Sequence, residues 1–348
     1  MSTNYSIIIP HKNSIRLLMR CIQSIPVRND IQVIVVDDNS DYISQREWDN
    51  VKKANHNLQV FYTREGKGAG FARNYGLKKS QGKWILFVDA DDFLHKDAFD
   101  KIDKYLDSDY DIIYFAHDSK DGESLDTIPD RLPQINHALT QHDYNKLRYC
   151  AYAPWGKLIK KDFIDYHNIR FDEIEVSNDV MFSLKCGHYA SKIGILDETL
   201  YCCTANKGSL FFKTTIKRAE IRLQIIKNAN AFLHKHDKDS YRFTFDDSAH
   251  WLKTFLPRRP SLFAWWLINA KYNNDTKHYV IDILNFAKAS VSNRVSSLAH
   301  NTPVINRNVF SYVRNWNNKP LIHGVTRFAR KTHRITFKKR KTKMVEPR

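Results

Sequence analysis

The sequence predicts an α/β fold, with a mostly parallel sheet flanked by helices, and three observations lead to this class. Within the first 115 residues, short runs rich in β-branched and aromatic residues alternate with segments whose apolar residues recur at helical spacing. Polar or turn-forming residues follow each run. With 42% hydrophobic residues, the chain can also bury a full core, which excludes a disordered protein. Strands that alternate with helices form βαβ units with right-handed crossovers.

Five runs are predicted to be strands, at 6–9, 32–36, 59–62, 84–88 and 111–115. Helical spacing places helices between them, at 15–25, 69–79 and 97–106. We expect a later helix near 178–188 and a later strand near 193–202. Because the predicted strands are short and apolar throughout, helices should cover both faces of the sheet.

The chain is predicted to have two parts, with a boundary near residue 210. Residues 1–210 carry the α/β pattern. Within them, 116–150 is polar and irregular, with Gly122, Pro129 and Pro133 as turn signals, and is interpreted as a loop-rich insertion. Residues 211–348 are predicted to be mainly helical, basic and aromatic.

The net charge of +17 is unevenly distributed along the chain. The last eighteen residues, KTHRITFKKRKTKMVEPR, hold eight Lys or Arg against one Glu. Such a tail favours polyanions, either nucleic acid or an anionic membrane surface. The alternative is a solvated tail that binds nothing specific.

The N-terminal residues and the cysteines indicate a cytoplasmic protein. MSTNYSIIIPHKN lacks the basic region and long apolar stretch of a signal peptide. The apolar run at 261–270 is shorter than the ~20 residues that a membrane-spanning helix needs. The five cysteines show neither CxxC nor zinc-finger spacing, which is typical of reduced thiols.

Polar residues follow three predicted strands at the point where each strand ends. Pro10 and His11 follow the first strand, Asp38 the second, and Asp89 and Asp91 the fourth. In an open α/β sheet, ligands bind beyond the carboxyl ends of the strands, so these side chains are expected to face a ligand.

The fourth strand ends in Asp89-Ala90-Asp91-Asp92. Residues i and i+2 of an extended chain point to the same side, so Asp89 and Asp91 can together offer carboxylate oxygens to Mg²⁺ or Mn²⁺. A solvated acidic turn, or a helix cap supplied by Asp92, would explain the same residues.

Two further segments carry groups suited to chemistry. Arg73 follows the glycines of GKGAGFARNYG, near the start of a predicted helix, where it could contact phosphate or a base. A flexible loop before an amphipathic helix is the alternative. Asp179 lies at the start of another predicted helix, behind Ser177 and Asn178 as candidate caps, and could stabilise the helix end or act as a general base.

Six segments in this order resemble the family-2 glycosyltransferases of GT-A fold. They are IIIPHKNS, VIVVDDNSD, GAGFARNYGL, ILFVDADDF, APWGKLIKKDFI and NDVMF, and the resemblance covers about residues 5–210. It implies a GT-A catalytic domain over 1–210. The implied reaction is inverting transfer of a sugar from a nucleoside diphosphate sugar, often UDP-linked, to a hydroxyl of a glycan or lipid-linked acceptor, in bacterial surface polysaccharide synthesis.

The resemblance also implies roles on the donor side. Pro10 and His11 would line the nucleotide pocket, Asp38 would accept hydrogen bonds from the base, and Arg73 would face the base and the diphosphate. Asp89 would approach the ribose or a metal-bound water. Asp91 would bind Mn²⁺ or Mg²⁺ directly.

On the acceptor side, the resemblance makes Asp179 the catalytic base. The sequence departs from the family at Asn178, where the family usually has Glu, and this puts in doubt any role of that Glu in orienting the acceptor. Trp155 and Lys157 match a segment that lies beside the acceptor site. The basic tail would hold the enzyme on the inner face of the plasma membrane.

Other functions are compatible with parts of the sequence. A nucleic-acid-binding module would use the positive charge and interleaved aromatic residues, but would leave the acids of the sheet edge without a role. A nucleotidyltransferase would share the sheet and the metal, but it usually carries a Gly-rich basic loop after the first strand, which IIIPHKNS lacks. An inactive glycosyltransferase-like protein is the third alternative.

Overall fold

The computed structural model describes residues 2–206 and 215–243, and these residues form one mixed eight-stranded sheet with helices around it. The strands are β1 (Tyr5–His11), β2 (Ile31–Asp38), β3 (Leu58–Thr63), β4 (Trp84–Phe87), β5 (Phe93–Leu94), β6 (Ile112–Asp121), β7 (Lys157–Lys160) and β8 (Ile193–Ala205). Their order across the sheet is β3-β2-β1-β4-β7-β6-β8-β5. Strands β5 and β7 run antiparallel to their neighbours, and the other six point the same way.

Helices connect the strands along the chain. They are α1 (Ile15–Gln23), α2 (Gln45–Ala54), α3 (Ala69–Lys79), α4 (Ala98–Ile102), α5 (Pro133–Thr140), α6 (Tyr144–Cys150), α7 (Lys161–Tyr166), α8 (Val180–Tyr189) and α9 (Ile216–Lys235). The predicted α/β class is confirmed. Helix α3 spans its predicted range, while the predicted third helix is divided into α4 and a 3₁₀ turn at Asp103–Tyr105.

The central strands are buried on both faces, as their β-branched composition predicts. All eight residues of β2 are buried, and so are six of the seven in β1. Helix α1 places Leu18, Cys21 and Ile22 in the same core, at the spacing of a helix with one apolar face. With both faces buried, the strand register depends on side-chain packing, because a slip by one residue would move every side chain into the space of the opposite face.

The register brings the carboxyl ends of the parallel strands to one edge of the sheet, here called the rim. His11 at the end of β1 pairs with Asp37 of β2, and Asp38 pairs with Thr63 of β3. Strand β4 ends at Phe87, opposite Ile8, so Asp89 emerges at the same edge. The rim therefore gathers polar residues from separate parts of the chain.

The interpretation of 116–150 as a loop-rich insertion was wrong. Strand β6 continues to Asp121 beside β8, and 133–150 contains the short helices α5 and α6. These elements are regular despite polar composition because their apolar residues are buried, with Ile135, Ala138 and Leu139 of α5 and Leu147 of α6 in the core. Tertiary burial outweighs the weak local pattern.

Helix α9 follows the predicted boundary near 210 and packs against α8. Ala229 and Leu233 of α9 join Met181 and Leu184 of α8 in one apolar cluster, and residues up to Phe243 form one compact unit. The boundary itself stays a prediction. The remainder of the predicted helical, basic region, including the tail, lies outside the described residues.

Within residues 2–206 and 215–243, no helix has the length and apolar character needed to cross a bilayer. All five cysteines lie in the described part of the chain, and no disulfide joins them.

Candidate active site

Asp89 begins the site, directly beyond the end of β4. Its Oδ1 accepts a hydrogen bond from Nη2 of Arg73 at 2.6 Å, and its backbone N–H donates to the Tyr201 hydroxyl at 3.2 Å. Its side chain is 31% exposed, whereas that of Arg73 is 6% exposed. The rim therefore contains an ion pair with one buried partner.

Arg73 joins this acid to the segment before α8. Its Nη1 donates to Oδ1 of Asn178 at 2.8 Å, and its guanidinium lies 5.3 Å from the ring centre of Phe171. Gly70, one turn earlier on α3, allows the close approach, because a Cβ there would lie 2.2 Å from the carbonyl oxygen of Asp172. In this structure Arg73 holds protein groups together, whereas the resemblance implies that it faces a nucleotide.

Asp179 is the N-cap residue of α8, one position earlier than the predicted first turn, and its side chain makes no capping hydrogen bond. Neither Ser177 nor Asn178 caps the helix. Ser177 adopts a left-handed backbone conformation (φ 56°), which is uncommon for a residue other than glycine. Burial and the nearby charge of Asp89 raise the pKa of Asp179, while Arg73 opposes the shift. A half-buried carboxylate without a hydrogen bond to its own helix is suited to accept a proton.

Asp91 lies beside Asp89 but has different partners. Its Oδ2 accepts a hydrogen bond from Nδ2 of Asn206 at 3.0 Å. Its carbonyl oxygen accepts from Nη2 of Arg20 at 2.6 Å and from the Thr204 hydroxyl at 2.7 Å. Burial and the charge of Asp89 raise the pKa of Asp91.

The chemistry of Asp89 and Asp91 fits a divalent cation. Within the described residues, no cluster of three or more His, Cys, Asp or Glu could enclose a metal ion. Mg²⁺ is usually held by one or two carboxylates together with substrate phosphates, so an incomplete protein shell is expected for such a site. Two neighbouring carboxylates, one of them with a raised pKa, would lose their mutual repulsion on binding a cation.

Asp92 has a structural role. It is buried, its Oδ2 accepts from the Tyr201 hydroxyl at 2.7 Å, and its Oδ1 accepts from the Thr204 backbone N–H at 2.6 Å. Burial and the charges of Asp91 and Asp89 raise its pKa well above the usual range. It ties the end of β4 to β8 and does not cap a helix.

The ends of β1 and β2 hold each other through buried hydrogen bonds. The Ser14 backbone N–H donates to Nε2 of His11 at 3.2 Å, so the proton of the neutral ring lies on Nδ1, which is 2.8 Å from Oδ2 of Asp37. Asp38 accepts from the Gly68 backbone N–H at 2.7 Å and from the Thr63 hydroxyl at 3.3 Å. Both ring nitrogens of His11 are therefore already used, and Pro10 beside it is half-buried.

Trp155 and Lys157, expected beside an acceptor, are both buried. Trp155 is 7% exposed, stacks on Tyr201 with ring centres 4.8 Å apart, and contacts His117 edge to face. Lys157 is 1% exposed. Both side chains therefore lie inside the protein.

Two cavities of the described residues lie away from the site. A cavity of about 400 Å³ lies between α1 and α2, and one of about 240 Å³ lies near the opposite ends of β2 and β3. None of the predicted site residues lines either of them. The hydrogen bonds and charges described above therefore identify the site better than cavity volume does.

Comparison with known proteins identifies the family. The family model described as glycosyl transferase family 2 matches residues 6–164. This match, together with the relatives described below, assigns residues 6–164 to glycosyl transferase family 2. Two curated bacterial relatives are similar to this chain. The uncharacterized glycosyltransferase EpsJ of Bacillus subtilis is 27% identical over 216 residues, which cover 59% of this chain and 62% of that protein.

The second relative is the poly(ribitol-phosphate) beta-N-acetylglucosaminyltransferase TarS of Staphylococcus aureus, 24% identical over 249 residues. These residues cover 68% of this chain and 42% of TarS, so the chain spans less than two thirds of either relative. A crystal structure of S. aureus TarS 1-349 in complex with UDP-GlcNAc has a TM-score of 0.55 at 18% identity, covering 82% and 81% of the two chains.

A mannosyltransferase from Pyrobaculum calidifontis, solved with GDP-Man and Mn²⁺, has a TM-score of 0.52 at 13% identity and covers 94% of this chain and 84% of its own. These likenesses confirm the GT-A fold that the resemblance implied.

The rim also contains residues that the motifs did not indicate. Tyr201, Thr204 and Asn206 at the end of β8 hold Asp91 and Asp92. A signal was present, since polar residues follow β8 as they follow β1, β2 and β4. Arg20, on the last turn of α1, had no such signal, because its partners lie 71 and 102 positions away.

Asp37 should make the stability of the rim pH-dependent. Burial would raise its pKa, but hydrogen bonds from His11 and Ser40 outweigh burial and lower it. A carboxylate with a lowered folded-state pKa adds stability above its unfolded pKa of about 3.9 and loses it as the pH falls through the folded value. Asp37→Asn should therefore unfold at lower denaturant concentration at pH 7, with a smaller further loss on acidification than the wild type.

Urea unfolding at several pH values tests this, with Asp49→Asn on the exposed face of α2 as the matched control. Parallel pH curves for the wild type and Asp37→Asn would contradict the assignment.

Proposed function

We propose that this protein transfers a sugar from a nucleoside diphosphate sugar, with UDP as the first nucleotide to test, to a hydroxyl of a glycan or lipid-linked acceptor, with inversion at the anomeric carbon. One observation carries the proposal: Arg73 joins Asp89, on the donor side, to the segment that presents Asp179. Family membership and the UDP-GlcNAc complex of TarS support it. Two relatives, one named as a minor teichoic acid biosynthesis protein (GgaB of Bacillus subtilis) and one as a poly(ribitol-phosphate) beta-N-acetylglucosaminyltransferase (TarS), suggest a role in bacterial surface polysaccharides.

On the donor side, Asp91 would hold a Mn²⁺ or Mg²⁺ ion, with Asp89 beside it. When bound, the ion would act as a Lewis acid that stabilises the diphosphate leaving group. Asp38 would accept hydrogen bonds from the nucleotide base, and Arg73 would fix the orientation of Asp89. The hydrogen bonds from Arg20 and Thr204 to the Asp91 carbonyl keep this acid in place before any ligand arrives.

On the acceptor side, Asp179 would take the proton of the attacking hydroxyl. Its raised pKa makes the ionised carboxylate a stronger base, and general-base help is typically worth about 10²–10⁴-fold in rate. Asn178 keeps a hydrogen bond to Arg73 where the family usually has Glu, so the link between the two sides of the site does not need that second acid.

Asp91→Asn tests the donor site. Thermal unfolding with a panel of nucleotide sugars, with and without Mn²⁺, should show a metal-dependent gain in the wild type, about 2.7 kcal/mol at a ligand concentration 100 times Kd. We expect Asp91→Asn to lose this gain, because the amide cannot replace the carboxylate as a metal ligand. Asp49→Asn, on the exposed face of α2, should retain it. Equal gains with and without Mn²⁺ in the wild type would exclude the metal site.

Asp179→Asn tests the base. The variant should bind the donor as the wild type does and transfer sugar at least about 10²-fold more slowly, since an amide cannot accept the proton. Rates are measured on the donor that the panel identifies, with Glu173→Gln in the same segment as the control because this acid is exposed. Wild-type rates in Asp179→Asn would remove the base assignment.

The basic tail, which lies outside the described residues, is proposed to hold the enzyme on an anionic membrane on the cytoplasmic side. Each Lys or Arg near such a surface contributes roughly 1 kcal/mol. Co-sedimentation with anionic phospholipid vesicles should fall with rising salt, and should fall strongly when Lys338, Lys339, Arg340 and Lys341 are all changed to Gln. Equal sedimentation with neutral vesicles would argue against the proposal.

A further inference from the structure

Lys157 is a buried lysine with no acidic partner in the part of the chain that the structure describes. It is 1% exposed, and its Nζ donates to the carbonyl oxygen of Ala151 at 2.8 Å and to the hydroxyl of Ser183 at 3.3 Å. The ammonium group also lies 5.4 Å from the ring centre of Tyr114. All three partners are neutral. Buried charges are normally paired. The Lys157 ammonium group has no bonded counter-ion, so we expect it to act on a charged group that it does not contact.

Helix α8 carries the two titratable groups that interact with Lys157, the Cys186 thiol and the Asp179 carboxyl. Ser183 is four residues after Asp179, and its backbone N–H donates to the Asp179 carbonyl oxygen at 2.9 Å. Residues four apart lie on the same face of a helix. The Lys157 ammonium group therefore contacts α8 on the face that carries Asp179, one helical turn after that residue. The same Ser183 hydroxyl donates to the carbonyl of Tyr152 at 2.8 Å, which ties α8 to the segment before β7.

The charges around Asp179 come from four elements. Arg73 of α3 and Lys157 of β7 favour its ionised form, Asp89 beyond β4 disfavours it, and Arg222 of α9 is also near enough to interact with it. Arg73 is already bonded to Asp89. Burial lowers the pKa of Lys157 to about 8, which leaves it mostly protonated at neutral pH.

We propose that Lys157 is a positioning residue, whose buried ammonium group holds the first turn of α8 and keeps the half-buried Asp179 carboxylate ionised. The inference deepens the proposed function, because it concerns the residue proposed there as the base. It also replaces the expected contact with an acceptor, since a side chain this deeply buried does not reach one. Because the lysine acts through space, its substitution changes the proton affinity of Asp179 even in the absence of substrate.

An NMR titration of the full chain with carboxyl-labelled aspartate tests this without any ligand. The resonance that disappears in Asp179→Asn is assigned to Asp179. In Lys157→Met the titration midpoint of Asp179 should move to higher pH, because the lost positive charge no longer favours the carboxylate. Lys157→Arg should keep the wild-type midpoint. Lys160→Met, on the same strand but bonded to the carbonyl of Ser108, should also keep it.

A second measurement uses the wild type alone, and so does not depend on whether Lys157→Met folds. When Lys157 loses its proton near pH 8, the Asp179 resonance should show a second, smaller step. No step there in the wild type, or an unchanged midpoint in a folded Lys157→Met, overturns the inference. Failure of the proposed function is a separate result, since it would appear as transfer activity retained in Asp179→Asn.

Discussion

The geometry of the site depends on one buried guanidinium. Arg73 carries two hydrogen bonds in different directions, to Asp89, 16 positions later in the chain, and to Asn178, 105 positions later. A planar group with several fixed donors can hold both partners at set angles, which a lysine cannot do. Helix α3 packs closely enough for this contact because Gly70 has no side chain. Asp89, proposed to lie on the donor side, and the segment of Asp179, the proposed base, are thus fixed relative to each other before any substrate binds.

The amino-acid pattern predicted the fold and the edge at which the site lies. β-Branched runs and helical spacing depend on local sequence, and the rule that parallel strands end at one edge converts them into a position for Asp38, Asp89 and Asp91. The hydrogen-bond partners of these acids could not be predicted in the same way. Asp92 meets Tyr201 across 109 positions, and this pairing depends on the register of β8 against β6, which contains irregular shifts.

The direction of individual side chains was the second property that the sequence could not predict. The motifs identified His11, Trp155 and Lys157 by residue type and order, yet all three point into the protein. A motif shows that a residue lies near the site, but the surrounding packing decides whether it contacts the ligand or supports a residue that does. For His11, the backbone N–H of Ser14 and the carboxylate of Asp37 use both ring nitrogens, a result of the tight turn after β1 that composition does not indicate.

The rim concentrates negative charge, and the protein stabilises its acids by different means. Asp37 accepts hydrogen bonds that lower its pKa, Asp89 pairs with Arg73, and Asp92 is buried with a pKa well above its usual range. Asp91 and Asp179 share with Asp92 a raised pKa and the lack of an ion pair among the described residues, but neither has both carboxylate oxygens held by hydrogen bonds from described residues, as Asp92 does. A carboxylate in that state gains most from a positive charge or proton supplied from outside. Asp91 would gain it from a divalent cation, and Asp179 from the proton of an acceptor hydroxyl, so the different surroundings of these similar acids agree with the separate roles proposed for them.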